Sequence, residues 1–130
     1  MGLLDIIQDV LLISFGAVFG VITRFTIYQQ LERINLSKNY IILVINTLSS
    51  FFLGLLFSIL SHISSLSYSY HLGLFFSIGF LGSLSTFSAF ISDLYNLFIQ
   101  LEFYRALRLF FVSLTLGILA FAAGFLIRNL

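Results

Sequence analysis

In the stretch GFLGSLSTFSAF, from Gly79 to Phe90, two glycines and four hydroxyl residues interrupt an otherwise apolar run. Residues of these types could serve two kinds of chemistry. Gly82, Ser83, Ser85 and Thr86 are weak helix formers close together. Glycine costs a helix about 1 kcal/mol relative to alanine, and hydroxyls bond nearby backbone groups in competition with the helical ladder. The spacing predicts a helix break near Gly82–Thr86. Carbonyls freed by such a break can coordinate a cation. The half-helix starting near Thr86 would turn its positive dipole end toward the interruption. Past the break, Phe87 and Phe90 share one helical face, while Ser85, Ser88 and Ser92 share another. Ring edges are electropositive, so two of them can flank an anion when other donors complete its shell. With 17 phenylalanines in the chain, packing is the commoner use of any one pair. Asp93 is one of few acids in the apolar region; its plain use is to meet lipid headgroups.

Other small and polar stripes must lie beside this segment. In INTLSSFFLG, residues Asn46, Ser50, Gly54 and Ser58 fall every four residues, on one helical face. Asn46 brings two donors and an acceptor into a low-dielectric region. Two uses stay open for it. One is an interhelical hydrogen bond worth about 0.5–2 kcal/mol; the other is a donor toward a permeating solute. In GAVFGVITRF, Gly16, Gly20 and Arg24 also recur every four residues. Small residues at that spacing let helices approach closely in lipid. An arginine about one turn inside a span snorkels or finds a partner, so Arg24 is expected near the interface, holding the fold together.

The elements that carry these stripes are membrane spans. The 130 residues are 60% hydrophobic and only 8% charged, with mean hydropathy +1.13. A soluble domain carries roughly 25% charge. About 20 apolar residues cross the hydrocarbon core, and four stretches qualify, over about residues 3–28, 39–60, 72–98 and 106–127. The chain therefore reads as a single all-α domain of four transmembrane helices, the third broken near its middle. Asp5 and Asp9 stand where a signal peptide would carry positive charge, so residues 1–28 read as retained structure. No basic run offers nucleic acid a footprint, and no cysteine is present. His62 and His71 flank HISSLSYSYH; a metal site or pH sensor is one reading, and ordinary interfacial residues the plainer one.

Of the six lysines and arginines, Arg24, Arg33, Lys38, Arg105 and Arg108 lie at the first and third connectors, and Arg128 lies at the other face. The positive-inside rule places those connectors in the cytoplasm.

Three motifs together give the sequence a family likeness. Gly16, Ala17, Gly20, Arg24 and Phe25 nearly match a G-x-x-x-G-A-x-x-R-Y pattern. NTLSSFFLG keeps Asn46, Thr47, Phe51 and Gly54 of N-T-x-G-x-F-x-x-G, and GFLGSLSTFSAF follows G-F-x-G-x-x-T-T-F-S-T-F. In these motifs, in length and in span count, the chain resembles the small fluoride channels of the Fluc/CrcB family. The resemblance implies an antiparallel, dual-topology dimer in the cell membrane, with the two third-span breaks crossing at its centre. It implies a structural sodium ion there, held by the backbone carbonyls of Gly82 and Ser85 from both subunits. It implies a fluoride pathway past Asn46, Phe87, Ser88 and Phe90. Asp93 falls where the family often carries glutamate, toward a pore end. Ser49, Ala89 and Asp93 depart from the pattern. The implied activity is passive fluoride export without enzymatic chemistry. A chain that inserts both ways should carry balanced charge, so the five-to-one bias suits a preferred orientation and an oppositely oriented paralogue as partner. A dual-topology homodimer is favoured because one chain holds every motif; pairing with an oppositely oriented paralogue is the rival. A proton-coupled drug exporter needs a carboxylate inside span one, and none lies between Asp9 and Arg24. A nonconducting assembly subunit is the remaining alternative.

Overall fold

In a computed structural model, which describes residues 2–127, the chain is helical throughout its ordered elements. These are α1 (Leu3–Arg33), α2 (Lys38–His62), α3 (Ser69–Gly73), a π-helical stretch (Leu74–Leu81), α4 (Gly82–Leu84), α5 (Phe87–Ile99) and α6 (Phe103–Ile127). Arg128, which entered the charge balance, lies outside the described residues. Among the described residues, four stretches are long and apolar enough to cross a membrane: Leu3–Arg33, Lys38–His62, Ser69–Ile99 and Phe103–Ile127. A helix of 25 residues such as α2 is about 38 Å long, enough for the hydrocarbon core and part of the headgroup layer. Each expected span is present. The helices overrun the expected ends, α1 most of all, because Gln29, Gln30, Leu31 and Glu32 are good helix formers with no glycine or proline among them.

The connectors are short and tightly closed. α1 stops where Asn35 takes a left-handed φ of 60°, a conformation asparagine tolerates. Between α5 and α6 the left-handed residue is Leu101, at φ 59°. Its N–H bonds Phe98 O at 3.0 Å and the Glu102 N–H bonds Leu97 O at 3.0 Å. That pair is the Schellman closure, normally built on glycine. A leucine there is strained. Leu101→Gly is therefore expected to stabilise the hairpin by about 1 kcal/mol, read as a raised unfolding midpoint in detergent. An unchanged or lowered midpoint would count against this account of the turn.

Several hydroxyls inside the spans are satisfied within their own helices, while the buried Ser58 Oγ has no hydrogen-bond partner among the described residues. Ser14, Thr23, Thr26 and Thr47 each donate to the carbonyl four residues back, at 2.7–2.9 Å. In hydrocarbon no water is present to take that role.

Small residues set the helix contacts. α2 packs along α6, and α1 packs against the π-helical stretch and α4. A Cβ on Gly54 would strike the carbonyl oxygen of Phe121, and one on Gly124 that of Phe51. A Cβ on Gly16 would strike Phe75 O, and one on Gly20 would strike Phe80 O and Ser83 Oγ. Gly79 faces back, its Cβ position 2.6 Å from Ile13 O. The stripes on spans one and two are thus packing seams at their glycines. Ile41, Ile45, Leu81 and Leu84 form the buried centre, where α2 meets the first half of the third span. Around it most large apolar side chains are exposed, as a lipid-facing surface requires.

Candidate functional site

The third span is interrupted where its hydroxyl and glycine content predicts. Gly82 is still helical, with φ −63° and ψ −33°. Ser85 turns to ψ 151° and Thr86 to φ −138°, ψ 108°, before α5 begins at Phe87. The break is therefore two residues wide, at the C-terminal edge of the expected window. Thr86 then caps α5: its Oγ1 accepts from the Ala89 N–H at 3.3 Å. Such a cap satisfies one of the orphan donors of the first turn. Ala89 needs only its backbone for this, so the missing hydroxyl at that position leaves the cap intact.

Asn46 closes the break from the neighbouring helix. Its Oδ1 accepts from the Thr86 N–H at 3.0 Å, and its Nδ2 donates to Thr86 O at 3.4 Å. One side-chain amide thus replaces the helical partners of one residue. Of the two uses left open by the spacing, the interhelical bond is present. One further Nδ2 hydrogen of Asn46 is not used by that pair.

The same bonds bear on the two carbonyls assigned to a cation. In an unbroken helix, Gly82 O would accept from the Thr86 N–H, and Ser85 O from the Ala89 N–H. Here the first donor goes to Asn46 Oδ1 and the second to Thr86 Oγ1. Both carbonyls lose their regular donors, and both residues border one groove of about 280 Å³ with Ser49, Ser50 and Ser77. Hard oxygen ligands at a chain interruption suit a hard cation such as sodium. Ser49 is buried and donates to Ile45 O at 2.8 Å.

Phe87 and Phe90 lie side by side on α5, ring centres 6.3 Å apart and tilted by 44°. Phe87 is 75% exposed, whereas Phe90 is half-buried and stacks on Phe110 of α6 at 6.4 Å. Ser88 is exposed beside the cap, its Oγ 3.3 Å from Thr86 Oγ1. The structure thus gathers Asn46, Phe87, Ser88 and Phe90 around the start of α5. Gly16, Gly20 and Gly54 lie in the helix seams, away from this cluster. Arg24 is half-buried on α1 and joins neither of the ion pairs found among the described residues.

Asp93 is buried on α5. It is only 5% exposed, and its carboxylate faces Lys38 Nζ at 3.9 Å. Lys38 sits in the first turn of α2, so it can reach down to the acid while its ammonium stays near water. The histidines do not converge on a metal. His62 Nδ1 lies 3.1 Å from Ser58 O, while His71 packs edge-on against Tyr70. Among the described residues no group of three or more acids and histidines could hold a metal ion.

Sequence reasoning missed Thr86 as the hub, the Lys38 partner of Asp93 and the Phe110 partner of Phe90. A threonine three residues ahead of a bonded N–H at a helix start is a legible cap signal. The other two pairs join residues distant in the chain, and nothing in their types distinguishes them.

Four apolar spans, one of them interrupted and bridged by a polar side chain, define a multi-pass membrane protein of the transport class. The comparisons with known proteins narrow this. The family described as "CrcB-like protein, Camphor Resistance (CrcB)" matches residues 11–125. A relative named "Fluoride-specific ion channel FluC 2", from Prochlorococcus marinus (strain NATL2A), is 52% identical over 90% of this chain and 94% of its own length. "Fluoride-specific ion channel FluC 1" of Parasynechococcus marenigrum (strain WH8102) is 33% identical over 90% of each chain. "Fluoride-specific ion channel FluC" of Desulfotalea psychrophila (strain LSv54 / DSM 12343) is 29% identical over 97% of this chain and 96% of its own length. No solved structure is a significant match. The chain belongs to the CrcB family.

Proposed function

We infer that this protein is a fluoride-selective ion channel that lets fluoride leave the cell passively and so protects against its toxicity. The observation that carries the reading is full-length similarity to a relative named as a fluoride-specific ion channel. HF enters from an acid exterior and dissociates in a near-neutral cytoplasm; a pore for the anion keeps the internal level down. It is a channel and not an enzyme.

The start of α5 is where the reading places the ion. Phe87 and Phe90 offer electropositive ring edges, Ser88 offers a hydroxyl, and Asn46 offers its remaining amide hydrogen. The dipole of α5 adds positive potential at the same end. Phe87 is bared on one protomer, which suits a path completed by a second copy. We place the two copies antiparallel, with Gly82 O and Ser85 O of each holding a structural sodium ion at the crossing. When bound, sodium would supply charge that keeps the four carbonyls together; the diverted helical donors support this assignment. A homodimer is favoured because one chain carries every group needed. Pairing with a paralogue is the second reading, supported by the charge bias and by relatives that carry the numbers 1 and 2 in their names.

Purified protein in sodium-loaded proteoliposomes is expected to release fluoride and retain chloride. Phe87→Ile is expected to slow release by at least about tenfold, the effect of losing roughly 1.4 kcal/mol of barrier lowering. Replacing sodium with a large organic cation is expected to reduce the flux as the dimer loosens. Absence of fluoride release from folded dimer would overturn the reading. Labelling of the N-terminus from both sides of the cell membrane is expected for the homodimer; labelling from one side alone would favour the paralogue pair.

A further inference from the structure

We propose that the groove between α2, α5 and α6 binds the headgroup of an anionic phospholipid, with an acyl chain along its floor. The groove encloses about 440 Å³. Arg105 and Arg108 stand on its α6 wall, Tyr40 on its α2 wall, and Leu43, Leu97 and Leu109 line its apolar part. It lies where α2 and α6 begin and α5 ends, so it opens at one edge of the membrane-crossing layer. Tyr40, Tyr95 and Tyr104, all exposed at that end, mark the interface, where amphipathic rings collect.

The charges are unequally committed. Arg105 Nη1 pairs with Glu102 Oε2 at 2.8 Å, whereas Arg108 joins neither ion pair among the described residues. Arg108 is one turn deeper than Arg105 on the same wall. A guanidinium there, above leucines, is matched by a phosphate, which it can grip through two N–H groups. Basic pockets between transmembrane helices are suited to anionic headgroups. A free phosphate would meet the arginines but leave the leucine floor uncovered. An acyl chain covers it, and this favours the lipid as occupant. The inference concerns lipid binding and stands apart from fluoride conduction.

The test uses the full-length protein, delipidated in mild detergent and titrated with phosphatidylglycerol or phosphatidylcholine under native mass spectrometry. Wild type is expected to retain phosphatidylglycerol preferentially. Arg108→Gln is expected to reduce that preference about fivefold, since one basic residue at an anionic surface contributes on the order of 1 kcal/mol. Leu109→Trp fills the floor without changing charge and is expected to lower retention of the lipid, which keeps the test decisive should the arginine variant fold poorly. Inorganic phosphate at equal concentration is expected not to compete. Equal retention of both lipids by wild type, an unaltered preference in both variants, or displacement by inorganic phosphate would overturn the proposal. So would cross-linking that shows a second copy seated in the groove.

Discussion

Asn46→Leu is expected to unfold the interruption of the third span and reduce fluoride release to the background of empty vesicles. The side chain supplies an acceptor to the Thr86 N–H and a donor to Thr86 O. Leucine supplies neither, and both backbone groups sit at membrane depth. Each unsatisfied buried group costs about 1–3 kcal/mol, so a loss of about 2–6 kcal/mol is expected in a denaturant titration of the reconstituted protein. Asn46→Asp separates the structural part from the conducting part. Aspartate keeps an acceptor for Thr86 N–H, so the fold loss is expected to be the smaller of the two. It also places an anion beside the proposed path, so fluoride release is expected to fall as far as in the leucine variant. Wild-type stability in Asn46→Leu would show that the amide bridge holds nothing. Wild-type flux in Asn46→Asp would remove Asn46 from the path.

Gly54→Val has the second large expected effect, and it acts through packing alone. The first added carbon would collide with Phe121 O and lie 2.9 Å from Phe121 C and 3.0 Å from Phe125 N. These are backbone atoms of α6, and a helix cannot yield them as a flexible side chain yields its tip. Overpacking of this kind costs about 1–3 kcal/mol, and more when backbones must part. The variant is expected to lose most of its folded population in detergent, with fluoride release falling in proportion. Gly117→Ala on α6 is the control. A Cβ there would lie 3.6 Å from Ser50 Oγ, an ordinary contact, and stability is expected to stay within about 0.5 kcal/mol of wild type. Equal behaviour of the two variants would mean that α2 and α6 do not meet as described.

Glycine spacing puts Gly16, Gly20 and Gly54 on contact faces, and a Cβ added to any of them would meet backbone of another element. It did not say which helix each face meets. Gly16 and Gly20 receive the first half of the third span, while Gly54 receives α6. Asn46 shares a stripe with Ser50 and Gly54, yet it turns to Thr86 while Gly54 seats on Phe121. A regular stripe can thus serve two neighbours along its length. An acid near a span end reads as one that meets lipid headgroups or a pore end; the fold adds that Asp93 is 5% exposed and faces Lys38 from the start of α2.

By itself, the sequence determined the four spans, the place of the interruption and the half-helix that follows. These depend on apolar run length and on helix propensity, which act over a few neighbouring residues. Only the tertiary structure decided that Asn46 bridges Thr86, that Lys38 covers Asp93, and that Phe90 rests on Phe110. Such pairings depend on how far each helix is rotated and shifted against the next. That rotation and shift come from the sum of many small contacts between distant parts of the chain, and no local pattern contains the sum.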